Sequence, residues 1–306
     1  MAAATDWVAV DWGTSNLRAW GIGPQGDVTF ARTSHEGMGK LAPGDFAGVL
    51  ETLLADAIEP TGPALDVVIC GMAGARQGWM EAPYLDAPAD LGGLAFGAVR
   101  PPMAGSRLSP RILPGVCLKL PGAEDVMRGE ETQILGLSAL LPGFAGVAVM
   151  PGTHSKWVAI SGTRIERFQT VMTGELYEVL RTHSVLRLSL VGDTEGPDRE
   201  LGFDTGLAAG LEAPHKLAAM MFKVRAGSLL SGRSPAWCAG FLSGLLIGAE
   251  IGGQRDWLGD AEVPLIGSHA LCALYARGLS RIGAASRIVD ATDATLAGLR
   301  AARFSG

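Results

Sequence analysis

The sequence has no cluster of lysine and arginine residues and no closely spaced pair of cysteines. Its 25 basic and 31 acidic residues give a formal net charge of -6, and a nucleic-acid-binding surface needs grouped positive charge to displace counterions. The four cysteines, Cys70, Cys117, Cys238 and Cys272, show no CxxC spacing, so neither a zinc site nor a disulfide framework is indicated. We therefore expect no nucleic-acid partner, and four reduced core cysteines in a cytoplasmic protein.

The sequence also lacks a recognisable export signal and a clear transmembrane run. The opening "MAAATDW" has no basic segment followed by an apolar one, as a secretory signal would. The most apolar stretch, residues 236–253, contains Glu250 and several glycines, and falls short of about 18 to 20 uninterrupted apolar residues. We expect a buried core helix there and no membrane partner. The sequence does not decide between a monomer and a homodimer.

An internal repeat is the most informative pattern that the sequence does contain. The 306 residues, 48% apolar and 18% charged, predict a globular protein of two domains or one large α/β unit. "VAVDWGTSNLRAWGIG", from Val8, aligns without a gap with "VAVMPGTHSKWVAISG", from Val147. Each copy has the pattern of a strand, a small-residue turn, a second strand and a glycine turn into a third strand. The repeat predicts two similar halves, residues 1–143 and 144–306.

The remaining segments alternate between helix and strand patterns. Helices are predicted in "GDFAGVLETLLADAI" behind an Asp45 cap, "TGELYEVLRTH", "PAWCAGFLSGLLIGAE", "SHALCALYARGLSRIG" and "ATLAGLRAARF", and strands in "ALDVVICG", "VPLIG" and "SRIVD". This alternation predicts α/β layers with mixed sheets, in two domains that face each other across a cleft. "GIGPQG" satisfies GxGxxG, but Pro24 and the strand-like "DVTF" predict a hairpin turn and not a dinucleotide site.

The two small-residue turns predict phosphate binding, because the backbone N–H groups of such turns can form a nest for anions. Ordinary hairpin turns are the alternative. The candidate ligands are Gly13, Thr14, Ser15 and Asn16 in the first copy, with Arg18 after it, and Gly152, Thr153, His154 and Ser155 in the second. Asp11 stands where the second copy has Met150, and a carboxylate beside phosphates needs a cation between them. Mg²⁺ is usually held by one or two carboxylates plus phosphate oxygens, so we expect Asp11 to orient Mg²⁺.

Six blocks in order give the sequence a family resemblance. They are "AVDWGTSNLRAW", "CGMAGARQGWMEAPY", "DVMRGEETQILG", "PGTHSKWV", "MTGELYEVLRTHS" and "FLSGLLIGAEI". Together they resemble the 2-dehydro-3-deoxygalactonokinase family, sugar-acid kinases of the actin, Hsp70 and hexokinase-like fold. The resemblance implies two ribonuclease H-like domains. The first would hold the sugar acid, and the second the adenosine. It also implies phosphorylation of 2-dehydro-3-deoxy-D-galactonate by ATP at the 6-hydroxyl, in galactonate breakdown.

The resemblance further implies roles for individual residues. Lys156 would balance phosphate charge beside the second turn, and Gly267 and Ser268 of "VPLIGSHALCALY" would let adenine approach the backbone. Arg76 would bind a substrate carboxylate through two parallel hydrogen bonds, and Gln77 a hydroxyl or keto oxygen. A solvated lysine, a plain strand–helix corner and a surface arginine are the alternatives. Trp79 would line the pocket or simply pack.

The acidic segment "DVMRGEE" leaves the catalytic base open among Asp125, Glu130 and Glu131. Related kinases of this fold take their base from a helix start in the first domain, usually as Asp, whereas this sequence has Gly-Glu-Glu. Acidic residues at a helix N-terminus can also serve only as dipole partners. We predict Glu130 as the base, because Gly129 allows close substrate approach beside it, and assign Arg128 and Glu131 to substrate binding.

Three other functions stay open on the sequence alone. A kinase for another 2-keto-3-deoxy sugar acid, such as 2-dehydro-3-deoxygluconate, would have the same blocks. A phosphohydrolase on the same scaffold would use the same turns and base with water as the acceptor. A non-catalytic ATP-switched regulator is not excluded by the fold.

Overall fold

Groups of strands are followed by groups of helices along the computed structural model, which describes residues 5–59 and 61–304. The strands are β1 (Trp7–Trp12), β2 (Leu17–Ile22), β3 (Val28–Ser34), β4 (Leu65–Gly71), β5 (Tyr84–Asp86), β6 (Ala89–Asp90), β7 (Leu108–Ile112), β8 (Gly115–Leu118), β9 (Asp125–Met127), β10 (Ala145–Met150), β11 (Ser155–Ser161), β12 (Arg164–Val171), β13 (Val263–Gly267) and β14 (Ser286–Asp290). The α-helices are α1 (Phe46–Leu54), α2 (Glu130–Leu140), α3 (Thr173–His183), α4 (Asp198–Glu212), α5 (Leu217–Ser231), α6 (Pro235–Gly253), α7 (His269–Arg281) and α8 (Ala291–Phe304).

The two main sheets share one strand order, and this confirms the predicted duplication. The first runs β3-β2-β1-β4-β7. The second runs β6-β12-β11-β10-β13-β14, so its five strands from β12 to β14 repeat the order of the first, and β6 is added at its edge. In the first sheet β1 lies antiparallel to β2 and parallel to β4; in the second, β10 and β13 are parallel, as are β13 and β14. Both sheets therefore place a small-residue turn directly after their central strand, where β1 and β10 end.

The contacts divide the chain into two compact units. The first contains the chain up to Phe144, Ile160–Arg167 and the chain from Ala291 onward; the second contains Ala145–Ala159 and Phe168–Asp290. The predicted division between residues 143 and 144 puts α8 in the second half, whereas α8 belongs to the first unit. Its backbone touches α2 there, since a Cβ added at Gly136 would lie 1.8 Å from the carbonyl oxygen of Ala294.

The core of the second unit is built on close contact between α4 and α6. A Cβ at Gly206 would lie 2.1 Å from the carbonyl oxygen of Phe241, and one at Gly244 would lie 2.1 Å from that of Phe203. Within the part of the chain that the structure describes, α6 is the one helix long and apolar enough to cross a membrane, and 83% of its apolar window is buried inside the fold. The predicted core helix is therefore confirmed.

Helix α1 differs from its prediction at both ends. Asp45 does not cap α1, because its Oδ2 accepts a hydrogen bond from the Ala42 N–H at 2.8 Å. The helix also ends at Leu54, before the predicted segment does. "GIGPQG" is a hairpin turn between β2 and β3, as predicted, and the four cysteines are buried and free. Helices α4 and α5 were not predicted.

Candidate active site

The first small-residue turn is exposed and closed by its own backbone. The Gly13 N–H donates to the carbonyl oxygen of Asn16 at 2.8 Å, and the three residues from Thr14 to Asn16 are exposed. Polar groups of this turn are therefore accessible to a ligand.

Asp11 lies just before this turn, near the end of β1, and already has a cationic partner. Its Oδ2 lies 2.6 Å from Nη2 of Arg18, the residue opposite it on β2. Arg18 also donates to the Thr292 hydroxyl at 3.3 Å. The predicted phosphate ligand Arg18 therefore contacts the predicted metal ligand Asp11.

Two glycines bring the acidic segment before α2 against the ends of β1 and β4. Gly71 has φ +90° and Gly129 has φ +108°, values that L side chains rarely adopt. A Cβ on Gly129 would lie 3.3 Å from the Gly71 Cα. The pKa of the neighbouring Cys70 thiol is raised by burial, then by the negative charges of Asp11 and Glu131. The "DWGTSN", "CGMAG" and "RGEE" blocks thus meet in the first unit.

The two glutamates of this segment have different environments. Glu130 is partly buried, and its Oε2 accepts a hydrogen bond from the Arg128 N–H at 3.0 Å. Glu131 is fully buried, and its Oε2 accepts one from the Gly129 N–H at 2.7 Å. Burial, followed by the charge of Glu130, raises the pKa of Glu131 to about 7. Glu130 is therefore the more accessible of the two. The third candidate base, Asp125, is partly exposed on β9, with its Oδ1 at 2.7 Å from the Val126 N–H.

The loop after β4 presents Arg76 and Gln77 to solvent at the tip of a tight turn. A Cβ on Gly78 would lie 2.5 Å from the carbonyl oxygen of Ala73, so the loop folds back on itself there. The Arg76 side chain is 79% exposed, and its Nε lies 3.4 Å from Glu81. Trp79 instead stacks against Phe46, with ring centroids 6.1 Å apart, and joins the core cluster of the first unit.

Arg128 is a partly buried cation of the same region. Its guanidinium lies over the Tyr84 ring, 4.2 Å from the centroid, and Nη2 donates to the carbonyl oxygen of Ala82 at 2.8 Å. Its Nε and Nη1 are buried and find no hydrogen-bond partner among residues 5–59 and 61–304. Nη1 would lie 2.8 Å from a Cβ on Gly74, so Arg128 backs the loop that carries Arg76.

The second small-residue turn exposes Thr153 and His154 but buries the two residues that follow. His154 pairs with Glu175 at the start of α3. The Ser155 hydroxyl is fully buried, 3.0 Å from the Tyr275 hydroxyl. Lys156 is 5% exposed, and its Nζ donates to the Thr170 hydroxyl at 2.7 Å.

A buried carboxylate that sequence reasoning did not assign lies beneath this turn. Glu250 accepts hydrogen bonds from Trp157 Nε1 at 2.8 Å and from the Tyr275 hydroxyl at 2.6 Å, and it also bonds Thr173 and Ser155. Burial raises its pKa, while these donors act in the opposite direction. The signal in the sequence was a lone carboxylate in an otherwise apolar helix. It ties β11, α3 and α7 to α6.

Gly267 and Ser268 form the predicted corner between β13 and α7. The Ser268 hydroxyl caps α7 by accepting from the Leu271 N–H at 3.4 Å. A Cβ on Gly267 would lie 3.3 Å from the carbonyl oxygen of Pro151, immediately before the second turn. The predicted strand, turn and helix are therefore confirmed as elements, and they adjoin the second turn.

Comparison with known proteins gives one consistent result over nearly the whole chain. The model of the 2-keto-3-deoxy-galactonokinase family matches residues 11–302. The chain is 42% identical over 303 residues to a protein of Rhizobium meliloti (strain 1021) named as a probable 2-dehydro-3-deoxygalactonokinase, covering 99% of this chain and 98% of that one. It is 37% identical over 296 residues to the 2-dehydro-3-deoxygalactonokinase of Escherichia coli (strain K12), covering 96% of each.

Solved structures agree with these relatives. A crystal structure assigned as a 2-dehydro-3-deoxygalactonokinase protein from Sinorhizobium meliloti has a TM-score of 0.90 at 42% identity, over 97% of both chains. Component A of the (R)-2-hydroxyglutaryl-CoA dehydratase of Acidaminococcus fermentans has a TM-score of 0.52 at 10% identity, over 98% of both chains, and is similar in fold alone.

Proposed function

Because the chain belongs to the 2-keto-3-deoxy-galactonokinase family, we propose that the residues of its candidate active site carry out the kinase reaction of that family. The chain is a sugar-acid kinase that phosphorylates the keto-deoxy sugar acid of the family. The proposed reaction transfers the γ-phosphoryl group of ATP, as Mg²⁺·ATP, to the 6-hydroxyl of 2-dehydro-3-deoxy-D-galactonate. It would serve galactonate breakdown in the cytoplasm.

One observation carries the proposed roles in the first unit: the approach of Gly129 to Gly71, which joins the end of β4 to the start of α2, while Gly71 itself lies against the end of β1. Phosphoryl transfer needs charge neutralisation, in-line positioning and a group that accepts the hydroxyl proton. Asp11 and Glu130 lie on the two sides of this glycine contact. We assign Asp11 to binding the metal ion and Glu130 to accepting the hydroxyl proton.

The donors near Asp11 fit a metal that arrives with the nucleotide. No group of three or more His, Cys, Asp or Glu side chains that could hold an ion occurs in the described parts of the chain. One carboxylate plus phosphate oxygens is an ordinary Mg²⁺ arrangement. Asp11 would hold the ion, directly or through water, and the bound Mg²⁺ would neutralise phosphate charge. The partner of Asp11 in this structure, Arg18, would then be available to the phosphates.

Sugar-acid recognition is assigned to the loop after β4 and to the partly buried Arg128 behind it. Arg76 and Gln77 are exposed at the loop tip, where a carboxylate and a neighbouring oxygen of the substrate could be bound together. Two buried nitrogen atoms of Arg128 find no acceptor among the described residues. They support a cationic role, because a buried donor without an acceptor is costly. Glu131 and Trp79 were predicted as substrate-binding residues. Because Glu131 is buried and Trp79 joins the core cluster, we instead assign Glu131 to holding the helix start and Trp79 to packing.

Phosphate binding is assigned to each of the two turns, and adenosine binding to the corner after β13 in the second unit. Thr14, Ser15 and Asn16 are exposed donors in the first turn, and Thr153 and His154 in the second. Lys156 would add positive charge beneath the second turn, and the buried Ser155 would hold that turn through Tyr275 and Glu250. Gly267, which packs on Pro151, would carry the adenosine together with Ser268.

A coupled assay of ADP release tests the proposed reaction. We expect release with Mg²⁺·ATP only when the sugar acid is present, and a higher kcat/KM for 2-dehydro-3-deoxy-D-galactonate than for its gluconate-derived isomer. Equal release without the sugar acid would identify a hydrolase, and a higher kcat/KM for the isomer would reassign the substrate. ATP binding without any turnover would contradict the kinase reaction itself.

A further inference from the structure

The first phosphate turn is supported from behind by a short segment that follows β3. The Met38 N–H donates to the carbonyl oxygen of Gly13 at 3.0 Å, and the Gly39 N–H to that of Thr14 at 2.9 Å. Gly37 lies between β3 and these donors. A Cβ added to Gly37 would lie 2.3 Å from the carbonyl carbon of Ser15. Real Cβ atoms essentially never approach backbone so closely. The segment therefore lies flat against the turn.

The second turn is supported in the same way by the segment that follows β12. The Glu175 N–H donates to the carbonyl oxygen of Thr153 at 2.9 Å. A Cβ on Gly174 would lie 2.4 Å from the carbonyl oxygen of Gly152. Gly37 and Gly174 each lie three residues beyond the last residue of the third strand, Ser34 and Val171. The duplicated unit thus extends past its third strand to one supporting glycine per copy.

We propose that Gly37 and Gly174 are positioning residues that hold the two phosphate turns in their nucleotide-binding geometry. The inference rests on the proposed function, because it gives the turns the task of binding ATP. It adds residues that belong to neither turn and that contact the turns only through backbone atoms.

The reason for glycine at Gly37 is space and not backbone conformation. Gly37 has φ -72° and ψ 164°, which any residue adopts, so only the missing side chain matters. Backbone donors from the supporting segment occupy the carbonyl oxygens of Gly13 and Thr14. This fixes the peptide planes of the turn, and with them the directions of its N–H groups. A nest of N–H groups binds an anion only when those directions converge.

A graded series of alanine substitutions tests the first turn. Gly44 has open space around it. A Cβ on Gly39 would lie 3.2 Å from the Thr14 carbonyl oxygen, and a Cβ on Gly37 would lie 2.4 Å from that same oxygen. A displacement of about 1 Å at an active site can cost about 10²-fold. We therefore expect the KM for ATP to rise by about tenfold or more in Gly37→Ala, by less in Gly39→Ala, and to be unchanged in Gly44→Ala.

The second turn is tested by Gly174→Ala, with Gly259→Ala as its matched control. Gly259 is an exposed glycine of the second unit with open space around it. We expect a raised KM for ATP only in Gly174→Ala. In all five variants the KM for the sugar acid should stay within about twofold, since that site is assigned to another loop.

Comparison of the KM for ATP with the KM for the sugar acid separates a positioning effect on the turns from general damage to the fold. Equal effects on both KM values, or folded Gly37→Ala and Gly174→Ala variants with a wild-type KM for ATP, would overturn the proposal. If Gly37→Ala or Gly174→Ala does not fold, as judged by thermal unfolding, Gly39→Ala decides. A raised KM for ATP there supports the proposal, and a wild-type value overturns it. A wild-type enzyme without sugar-acid-dependent ADP release would instead reject the proposed function.

Discussion

Replacing Glu131 by glutamine should change how the stability of the first unit depends on pH. The carboxyl is fully buried, with its oxygens 2.7 Å from the Gly129 N–H and 3.0 Å from the Thr132 hydroxyl. Glutamine has nearly the same shape and keeps one acceptor oxygen. The variant therefore removes the ionisation of the group and leaves most of its packing in place.

The size of the effect follows from the pKa of Glu131. Burial, followed by the charge of Glu130, raises this pKa from 4.5 to about 7. Since one pKa unit corresponds to about 1.4 kcal/mol, the shift amounts to about 3 kcal/mol of stability. The folded-state pKa is the higher one, so the unfolded chain loses its proton first as the pH rises. The stability contributed by the protonated carboxyl is fully present below about pH 4.5 and is lost as the pH rises through about 7.

Urea unfolding between pH 5 and pH 8 measures this effect through tryptophan fluorescence. We expect the free energy of unfolding of Glu131→Gln, relative to wild type, to increase by about 2 kcal/mol across this range. The exposed Glu51 on α1 provides the matched control, and Glu51→Gln should run parallel to wild type at every pH. A Glu131→Gln curve that also runs parallel to wild type would refute the reasoning, because it would mean that Glu131 is ionised in the folded chain.

Four further predictions address catalysis and packing. Glu130→Gln should lower kcat by about 10²- to 10⁴-fold with little change in sugar-acid affinity; the same loss in Glu131→Gln or Asp125→Asn instead would move the base. Arg76→Ala should raise the KM for the sugar acid by about tenfold or more, and an equal rise for ATP would remove Arg76 from the sugar site. Asp11→Asn should abolish most turnover while thermal unfolding stays near wild type, and near-normal kcat at saturating Mg²⁺ would exclude a metal role. Gly244→Ala should lower the free energy of unfolding by about 1 to 3 kcal/mol or more through the α4–α6 contact, whereas Gly48→Ala on α1, which has open space, should not lower it.

The sequence predicted the fold well because its signals were local and repeated. The strand, turn and strand of each copy are confirmed, as are the α/β class and the predicted kinase family. The alternating pattern could not reveal that α8 returns to the first unit. Its partner there is α2, and the contact depends on glycines 136 and 298, which are 162 residues apart in the chain. Close approach of two backbones leaves no periodic signal in either segment.

Prediction of the candidate site was limited by burial. Residue type and spacing identified Lys156 and Ser155 as polar residues after a turn, but did not indicate that both would be buried. Lys156 Nζ donates to the Thr170 hydroxyl on the neighbouring strand β12, and Glu250 bonds Ser155 from a helix almost a hundred residues later in the chain. Tertiary packing decides these hydrogen-bond partners. The sequence therefore predicted which blocks meet, but not which polar side chains form hydrogen bonds inside the protein.

The glycines of this chain show why its turns could be predicted from the sequence and its close backbone contacts could not. Of 43 glycines, twelve in the described parts of the chain have positive φ, and these are the positions where turn patterns detect glycine. At Gly37, Gly174, Gly206 and Gly244 the missing side chain matters instead, because backbone atoms of another segment occupy its place. Replacing a turn glycine costs free energy because of the conformation of its own backbone. Replacing a contact glycine instead displaces the second segment that lies against it. Substitutions at the second kind should therefore alter residues far along the chain, such as the phosphate turns, even though the substituted glycine touches no ligand.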